Sequence, residues 1–577
     1  MTSIVDAESL LAVDIGSVNT RALLFDVVDG QYKFLAAGVA ASTHAAPFFD
    51  LAEGVHNAVT RLQEVSGRPL ISLDSRILIP TQADGSGVDR LAITLSVGPE
   101  IHIVTMGLLA DVSHESAQRL AATTYGTVLE KIGLNDSRRQ DAQLDALLAA
   151  RADIILLAGG TDRGASRSVG KLVELILLAC KTLPGEARPA VLYCGNQSLS
   201  KRIQEVLGKQ TRIHAAPNIR PTIDVEDLLP AATELSLMTI KQREKQLHGL
   251  GALASISSVP VMPGASAMAR LVRFLSGLYD PVKGVLGVDM GSSATAFAAA
   301  VAGKLSLNVF NRLGMGSGLA GLLEQVPLSE ITRWLPVDIA DEEVRDYLWQ
   351  KTLYPAMLPM TATALAIEEA AARQVLRLAS TQMLERAPQL SMAFEPIFAG
   401  GAFLAQGVSP ARSLLTLLDG LQPTGVTALF LDPHGLMTAL GAIAPQNTVL
   451  PVQILESGAF INLASVICPV SRARPDSIIM QLRLEYDDGN TLRLDIRQGT
   501  LVPLPVRHGQ AVKVFLKNAA RGLEVDPRLA KGFKIYGGVC GAFVDARGRP
   551  LHLPSDPAKR REQLLQWSQA IETRRTA

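Results

Sequence analysis

The sequence predicts an α/β protein of two related lobes, the first with an inserted α/β portion, followed by a carboxy-terminal antiparallel β domain. Three observations predict it. A strand–turn–strand segment from Leu10 to Asp26 recurs in kind from Val285 to Phe297. Between the two, three strand–loop–helix units follow one another. Beyond about residue 446, alternation of apolar and polar residues replaces the helical pattern. The expected divisions are 1–280, 281–445 and 446–577.

The two hairpins carry the chemistry. Leu10-Leu11-Ala12-Val13 reads as a buried strand that ends in Asp14-Ile15-Gly16-Ser17, and Asn19-Thr20-Arg21 opens the return strand. Val285-Leu286-Gly287-Val288 likewise runs into Asp289-Met290-Gly291-Ser292-Ser293, with Thr295 on the way back. Such a turn lets backbone N–H groups approach phosphate oxygens, since glycine has no Cβ to block them, and its aspartate can hold a metal ion directly or through water. One Asp-x-Gly-Ser turn is common in ordinary hairpins. Two, at the heads of two long segments, would clamp a nucleotide between related domains.

Length and composition agree. At 577 residues the chain exceeds a single core, and two to four domains are expected. Apolar residues make up 48% and aromatic residues 5%, the balance of an Ala/Leu/Val-rich α/β protein. Lys+Arg equals Asp+Glu at 55 each, so net charge gives no sign of a nucleic-acid or anionic-membrane partner. No apolar run approaches the ~20 residues of a membrane span, and the first residues lack a basic stretch followed by an apolar one. A soluble, cytoplasmic protein is expected. Cys180, Cys194, Cys468 and Cys540 form no C-x-x-C pair and have no histidines at ligand spacing, so they read as buried thiols rather than zinc or iron–sulfur ligands.

Within the first lobe, 93–97 and 101–106 read as strands around a turn at Gly98-Pro99, and 113–151 as a helix-rich stretch. The strand Ala152 to Leu157 runs into Ala158-Gly159-Gly160-Thr161-Asp162-Arg163-Gly164 and then a helix over 172–180. That layout suits an anion-binding turn and equally a tight crossover; it lacks the Gly-Lys-Ser/Thr of a P-loop. Similar units follow at 189–197 and 212–218. In the second lobe, Arg312 to Gly318 has glycine at every second position (Gly314, Gly316, Gly318), 361–386 is a long Ala-rich helix, and Ile397-Phe398-Ala399 ends in Gly400-Gly401. A hairpin over 480–496, turning at Asp487-Asp488-Gly489-Asn490, and strands at 511–516 and 541–545 form the last domain, suited to contact rather than chemistry.

These motifs resemble those of the actin-like ATPases, the superfamily of actin, the heat-shock chaperone ATPases and the sugar kinases, with a ribonuclease H-like fold in each lobe. Asp14 to Thr20 matches the first phosphate motif, Asp289 to Thr295 the second, and Ile397 to Phe403 the adenosine motif. The helix following Leu429 to Asp432 resembles the superfamily's small-residue closing helix. More specifically, Asp14-Ile15-Gly16-Ser17, Leu156 to Asp162, Cys194-Gly195-Asn196, Ala216-Pro217-Asn218 and Met262-Pro263, in this order, resemble the glutamate mutase L family, distinct from the mismatch-repair protein of similar name. The resemblance covers about 10–445. It implies ATP and Mg²⁺ as ligands, with Asp14 and Asp289 at the metal. Gly16, Ser17, Asn19, Thr20, Arg21, Gly291, Ser292, Ser293 and Thr295 would lie at the phosphates, Gly314 and Gly316 nearby, and Gly400 and Gly401 at the adenosine. It also implies a chaperone or reactivator of a protein client such as an adenosylcobalamin-dependent mutase.

The chain departs from the superfamily pattern. Met262 stands where many chaperone ATPases have a water-orienting glutamate, Ala296 where a further aspartate is common, and Arg21 where lysine often ends the first motif. Losing a water-positioning group would slow turnover by ~10²–10⁴ while sparing binding. Binding is the expectation, a weak ATPase at most, and no catalytic residue is assigned. A small-molecule kinase and an actin-like scaffold remain alternatives. Client, oligomeric state and the role of the Gly159–Gly164 loop stay open.

Overall fold

The computed structural model describes residues 8–572; the readings of the chain's first residues and of the end of its tail fall on 1–7 and 573–577, outside the described residues. The chain divides into two compact units. The first holds residues up to 268 with 307–311 and 438–447, and the second holds 269–306, 312–437 and 448 onward.

In the first unit, one five-stranded sheet runs Met262–Pro263, Arg90–Leu95, Leu10–Ile15, Asn19–Val28, Gln31–Ala41. Leu10–Ile15 pairs antiparallel with Asn19–Val28 and parallel with Arg90–Leu95, which makes it the central strand. Leu10, Leu11, Ala12 and Val13 are all buried, which explains a continuous apolar run where a one-sided strand would alternate. Helix Leu51–Ser66 covers one face, capped by Asp50, whose side chain accepts from the Ala52 N–H.

A second sheet repeats this order. It runs Lys304–Asn311, Ala294–Val301, Val285–Met290, Ile397–Gly400, Gly425–Leu431, so in both sheets the strands stand third, second, first, fourth, fifth in chain order. This duplicated order is that of the actin-like fold the sequence predicts. Ile461–Cys468, Ala542–Asp545 and Leu501–Leu504 extend the second sheet to eight strands. The Ala-rich helix is observed at Ala362–Arg386, capped by Thr361.

The inserted portion is a parallel sheet, Gly126–Gly133, Ile101–Gly107, Ile154–Leu157, Ala190–Tyr193, Ile213–Ala215. Two expectations are corrected here. The strands on either side of Gly98-Pro99 belong to different sheets, and Gly98, at φ +133°, turns the chain over the buried Arg243 side chain. The stretch 113–151 is helical only over Glu115–Ala121 and Gln140–Ala149; Gly126–Gly133 between them is a strand. Its Thr127, Val128 and Ile132 favour extended backbone, and as an edge strand it buries too few residues to read as a core run.

Beyond the second sheet, Thr491–Arg497, Ile478–Tyr486, Ala511–Ala519 and Phe533–Tyr536 form a four-stranded antiparallel sheet. Leu482, Leu484, Val512, Val514 and Ile535 bury its inner face. The strand expected at 541–545 lies in the eight-stranded sheet instead. A buried ion network anchors it there: the Arg547 guanidinium reaches Asp545 at 2.8 Å and Asp419 at 2.7 Å, and Arg373 reaches Asp419 at 2.8 Å. Burial opposes the charge on Asp545, yet Arg547 and Arg549 hold its carboxyl far below the usual carboxylate range.

All four cysteines are buried, and burial pushes the Cys194 and Cys468 thiols up to about 12, so both remain thiols at neutral pH. Among the described residues no helix is long and apolar enough to cross a membrane.

Candidate functional site

Each unit presents its Asp-x-Gly-Ser turn at the carboxyl end of its central strand. In the first, the Gly16 N–H donates to the Asn19 carbonyl at 3.0 Å and closes the turn. Ser42 braces it from the neighbouring strand's end, donating to the Gly16 carbonyl at 2.7 Å and lying 3.0 Å from the Thr20 hydroxyl. Thr20 is thus buried and occupied in holding the turn, whereas Ser17 and Asn19 are half-buried on it.

Asp14 is fixed by a residue the sequence reading missed. Thr94 donates to Asp14 Oδ1 at 2.7 Å from the adjacent parallel strand, where it is Asp14's register partner. Arg21 is Asp14's partner on the other side, so a cation and a carboxylate face each other across the hairpin. Asp14 Oδ1 also lies 3.7 Å from where a Cβ would stand on Gly264, the first residue of helix Gly264–Leu275. The positive end of a helix therefore adjoins the carboxylate. Thr94 pairs on its far side with Met262, so Met262 stands level with Asp14, two strands away. An apolar side chain occupies the position where the superfamily pattern would place a carboxylate.

The second unit gathers more. The Gly291 N–H closes its turn onto the Ala294 carbonyl at 3.0 Å, and the buried Thr295 hydroxyl donates to the Leu313 carbonyl at 2.9 Å. The glycine-rich loop lies directly on this turn: the Met315 N–H donates to the Gly291 carbonyl, and Gly316 and Gly318 N–H groups to the Ser292 carbonyl. The alternate glycines are explained by that contact. A Cβ on Gly314 would stand 2.6 Å from the Ser292 carbonyl oxygen, and one on Gly316 would stand 2.1 Å from Ser292 Oγ. The loop is a packed partner of the hairpin, not a slack connection. Ser293 is half-buried on the same turn.

Gly400 is the register partner of Asp289, and Gly401, at φ +105°, passes so close to the hairpin strand that a Cβ would lie 2.1 Å from the Met290 carbonyl oxygen. Beside it, Asp432 was also missed. Its buried carboxylate accepts from the N–H groups of His434, Gly435 and Leu436 at Oδ1 and of Met437 at Oδ2, capping the small-residue helix Leu436–Ile443. An Asp-Pro ahead of an apolar run is the sequence signal that would have found it. Gly441 of that helix sits where a Cβ would meet the Ala267 carbonyl at 1.8 Å.

The first unit thus brings together Asp14, Gly16, Ser17, Asn19, Thr20 and Arg21; the second brings together Asp289, Gly291, Ser292, Ser293, Thr295, Gly314, Gly316, Gly400 and Gly401. These residues fit a nucleotide and Mg²⁺. Each set holds one carboxylate, small hydroxyls and a glycine turn, and the buried Ser292 hydroxyl has no hydrogen-bond partner among the described residues. An unmatched hydroxyl of this kind is costly unless something bonds it.

The profile of the MutL protein family matches residues 10–458, ending before the four-stranded sheet. Protein MutL of Clostridium tetanomorphum is 23% identical over 212 residues, which are 36% of this chain and 44% of that protein, so the chain spans less than half of that relative's length. Among solved structures, nucleotide-free acetone carboxylase covers 86% of this chain and 81% of its own, at 13% identity and a TM-score of 0.35. The nucleotide-free diol dehydratase-reactivating factor covers 76% and 99%, at 10% identity and a TM-score of 0.30.

Proposed function

The chain belongs to the MutL protein family, and on that premise we propose that it binds ATP with Mg²⁺ and couples the bound nucleotide to action on a protein client, an adenosylcobalamin-dependent mutase. The observation that carries the nucleotide reading is the duplicated hairpin. Two central strands in two sheets of identical order each end in a carboxylate, a glycine turn and small hydroxyls.

In this reading Asp14 and Asp289 hold Mg²⁺ through its water ligands, as octahedral Mg²⁺ parts with water reluctantly. The metal supplies charge neutralisation for the phosphates. Ser17, Asn19, Ser292 and Ser293 bond phosphate oxygens, and the Gly16 and Gly291 turns allow their backbone to come close. Thr20 and Thr295 hold the turns in shape. Gly314 and Gly316 let the loop brace the Ser292 turn, while Gly400 and Gly401 face the adenosine. Thr94 orients Asp14. With the apolar Met262 level with Asp14, where a water-aligning carboxylate would stand, the chain binds ATP and turns it over slowly. The client reading rests on the family and on a binding protein's need for an effector.

Calorimetric titration with ATP, with and without Mg²⁺, tests this. The expected result is metal-dependent binding that the Asp14→Ala/Asp289→Ala variant loses. Equal affinity in the variant, or no binding by the unaltered chain, would sink the assignment.

A further inference from the structure

The outer face of the four-stranded sheet plays no part in that site, yet its charges are arranged at a cost. Leu482, Leu484, Val512, Val514 and Ile535 point inward, so Arg483, Arg493, Lys513, Phe515 and Lys534 point outward by the strand's two-residue period. Arg483 is the direct cross-strand partner of Arg493, and Lys513 that of Lys534. Like charges placed directly opposite destabilise a sheet, and here it happens twice on one face. Lys517 adds a further cation near the Phe515 ring, at 5.2 Å.

Compensation is partial. Glu485 bonds Arg483 at 3.1 Å and is the cross-strand partner of Lys513, and Asp495 is held by the Gln481 amide at 2.8 Å. Among the described residues Arg493, Lys513, Lys517 and Lys534 make no ion pair within the salt-bridge distance of 4.0 Å. For a chain with 55 cations and 55 carboxylates, so local an excess is not a consequence of composition. A face that repels itself when free is relieved by anions arriving on it.

We propose that this face docks a carboxylate-rich surface of a protein partner. The choice of a protein rests on the client reading above. It is also favoured over single-stranded nucleic acid by the aromatic residues. Binders of single strands stack successive bases on open rings. The Arg483 guanidinium lies over the Phe515 ring at 4.5 Å, with Lys513 and Lys517 at 5.2 Å, and the Lys534 ammonium lies 5.5 Å from the centre of the Tyr536 ring, so cations already cover both rings of the face. Cations on adjacent strands lie ~5 Å apart and those two residues along a strand ~7 Å apart, spacings that carboxylates on a neighbouring helix or strand can match.

The test uses the full chain, a fluorescein-labelled peptide of twenty glutamates, and an oligouridylate of equal length. The peptide should bind with an affinity that falls as salt rises. In the Arg493→Glu/Lys534→Glu variant that affinity should drop at least tenfold. The same variant turns both like-charge pairs into opposite ones, so its melting temperature should equal or exceed that of the parent. Its titration with ATP should match the parent's, which separates this surface from the nucleotide site. Four results would overturn the proposal: no peptide binding, binding that survives the reversal, tighter binding of the oligouridylate through the same residues, or a lowered melting temperature in the variant.

Discussion

Gly401→Ala probes the joint between the glycine pair and the Asp289 hairpin. A Cβ at 401 would stand 2.1 Å from the Met290 carbonyl oxygen and 2.7 Å from its carbon, where real contacts stay beyond 3.0 Å. The obstacle is backbone of the central strand's last residue, so no side-chain rotation relieves it. The backbone at φ +105° adds a cost of about 1–2 kcal/mol for any residue with a Cβ. Overpacking adds about 1–3 kcal/mol, giving roughly 2–5 kcal/mol in all. At about 2–4 °C per kcal/mol for a unit of this size, the melting transition should fall by roughly 4–20 °C. Gly458→Ala is the matched control: its φ is +79° and nothing lies within 4 Å of the added Cβ, so it pays the conformational term alone. Differential scanning calorimetry of the two variants isolates the overlap, and ATP titration of the same pair reads its effect on the site. Equal melting of the two would refute the reasoning, since Gly401 would then not be pressed against the hairpin.

Two further outcomes are expected. Asp545→Asn removes the carboxylate shared by Arg547 and Arg549 in a fully buried network and should cost about 3–5 kcal/mol at pH 7 in urea denaturation. Because the folded carboxyl lies below its unfolded range, its contribution is full above about pH 4 and is lost as pH falls through the lower folded value. The gap between parent and variant should therefore close in acid; a gap independent of pH would count against the charge as its cause. Met262→Glu places a carboxylate level with Asp14 and should raise phosphate release from ATP by about a hundredfold, the lower reach of general-base assistance. An unchanged rate would show that slow turnover has another origin than Met262.

Much of the candidate site could be read from residue order because its pieces are contiguous. A strand, a carboxylate and a glycine turn are contiguous, so both hairpins, the glycine-rich loop and the Gly-Gly pair could be read one by one from residue order. The duplicated fold followed from the recurrence of one pattern, and the buried central strands from their unbroken apolar runs. Pairing is not local. Thr94 meets Asp14 across 80 positions of chain, and Met262 comes level with it from farther still, because parallel strands align only once the sheet forms. The same reason hid the strand at Gly126–Gly133 and sent the segments around Gly98-Pro99 into different sheets: an edge strand's identity lies in its neighbour. Thus the sequence alone determined the fold class, the two Asp-x-Gly-Ser turns and their likeness to a family. Only tertiary structure decided what braces those turns, why alternate glycines are required beside Ser292, and where like charges meet on the last sheet, since each depends on which strands lie side by side.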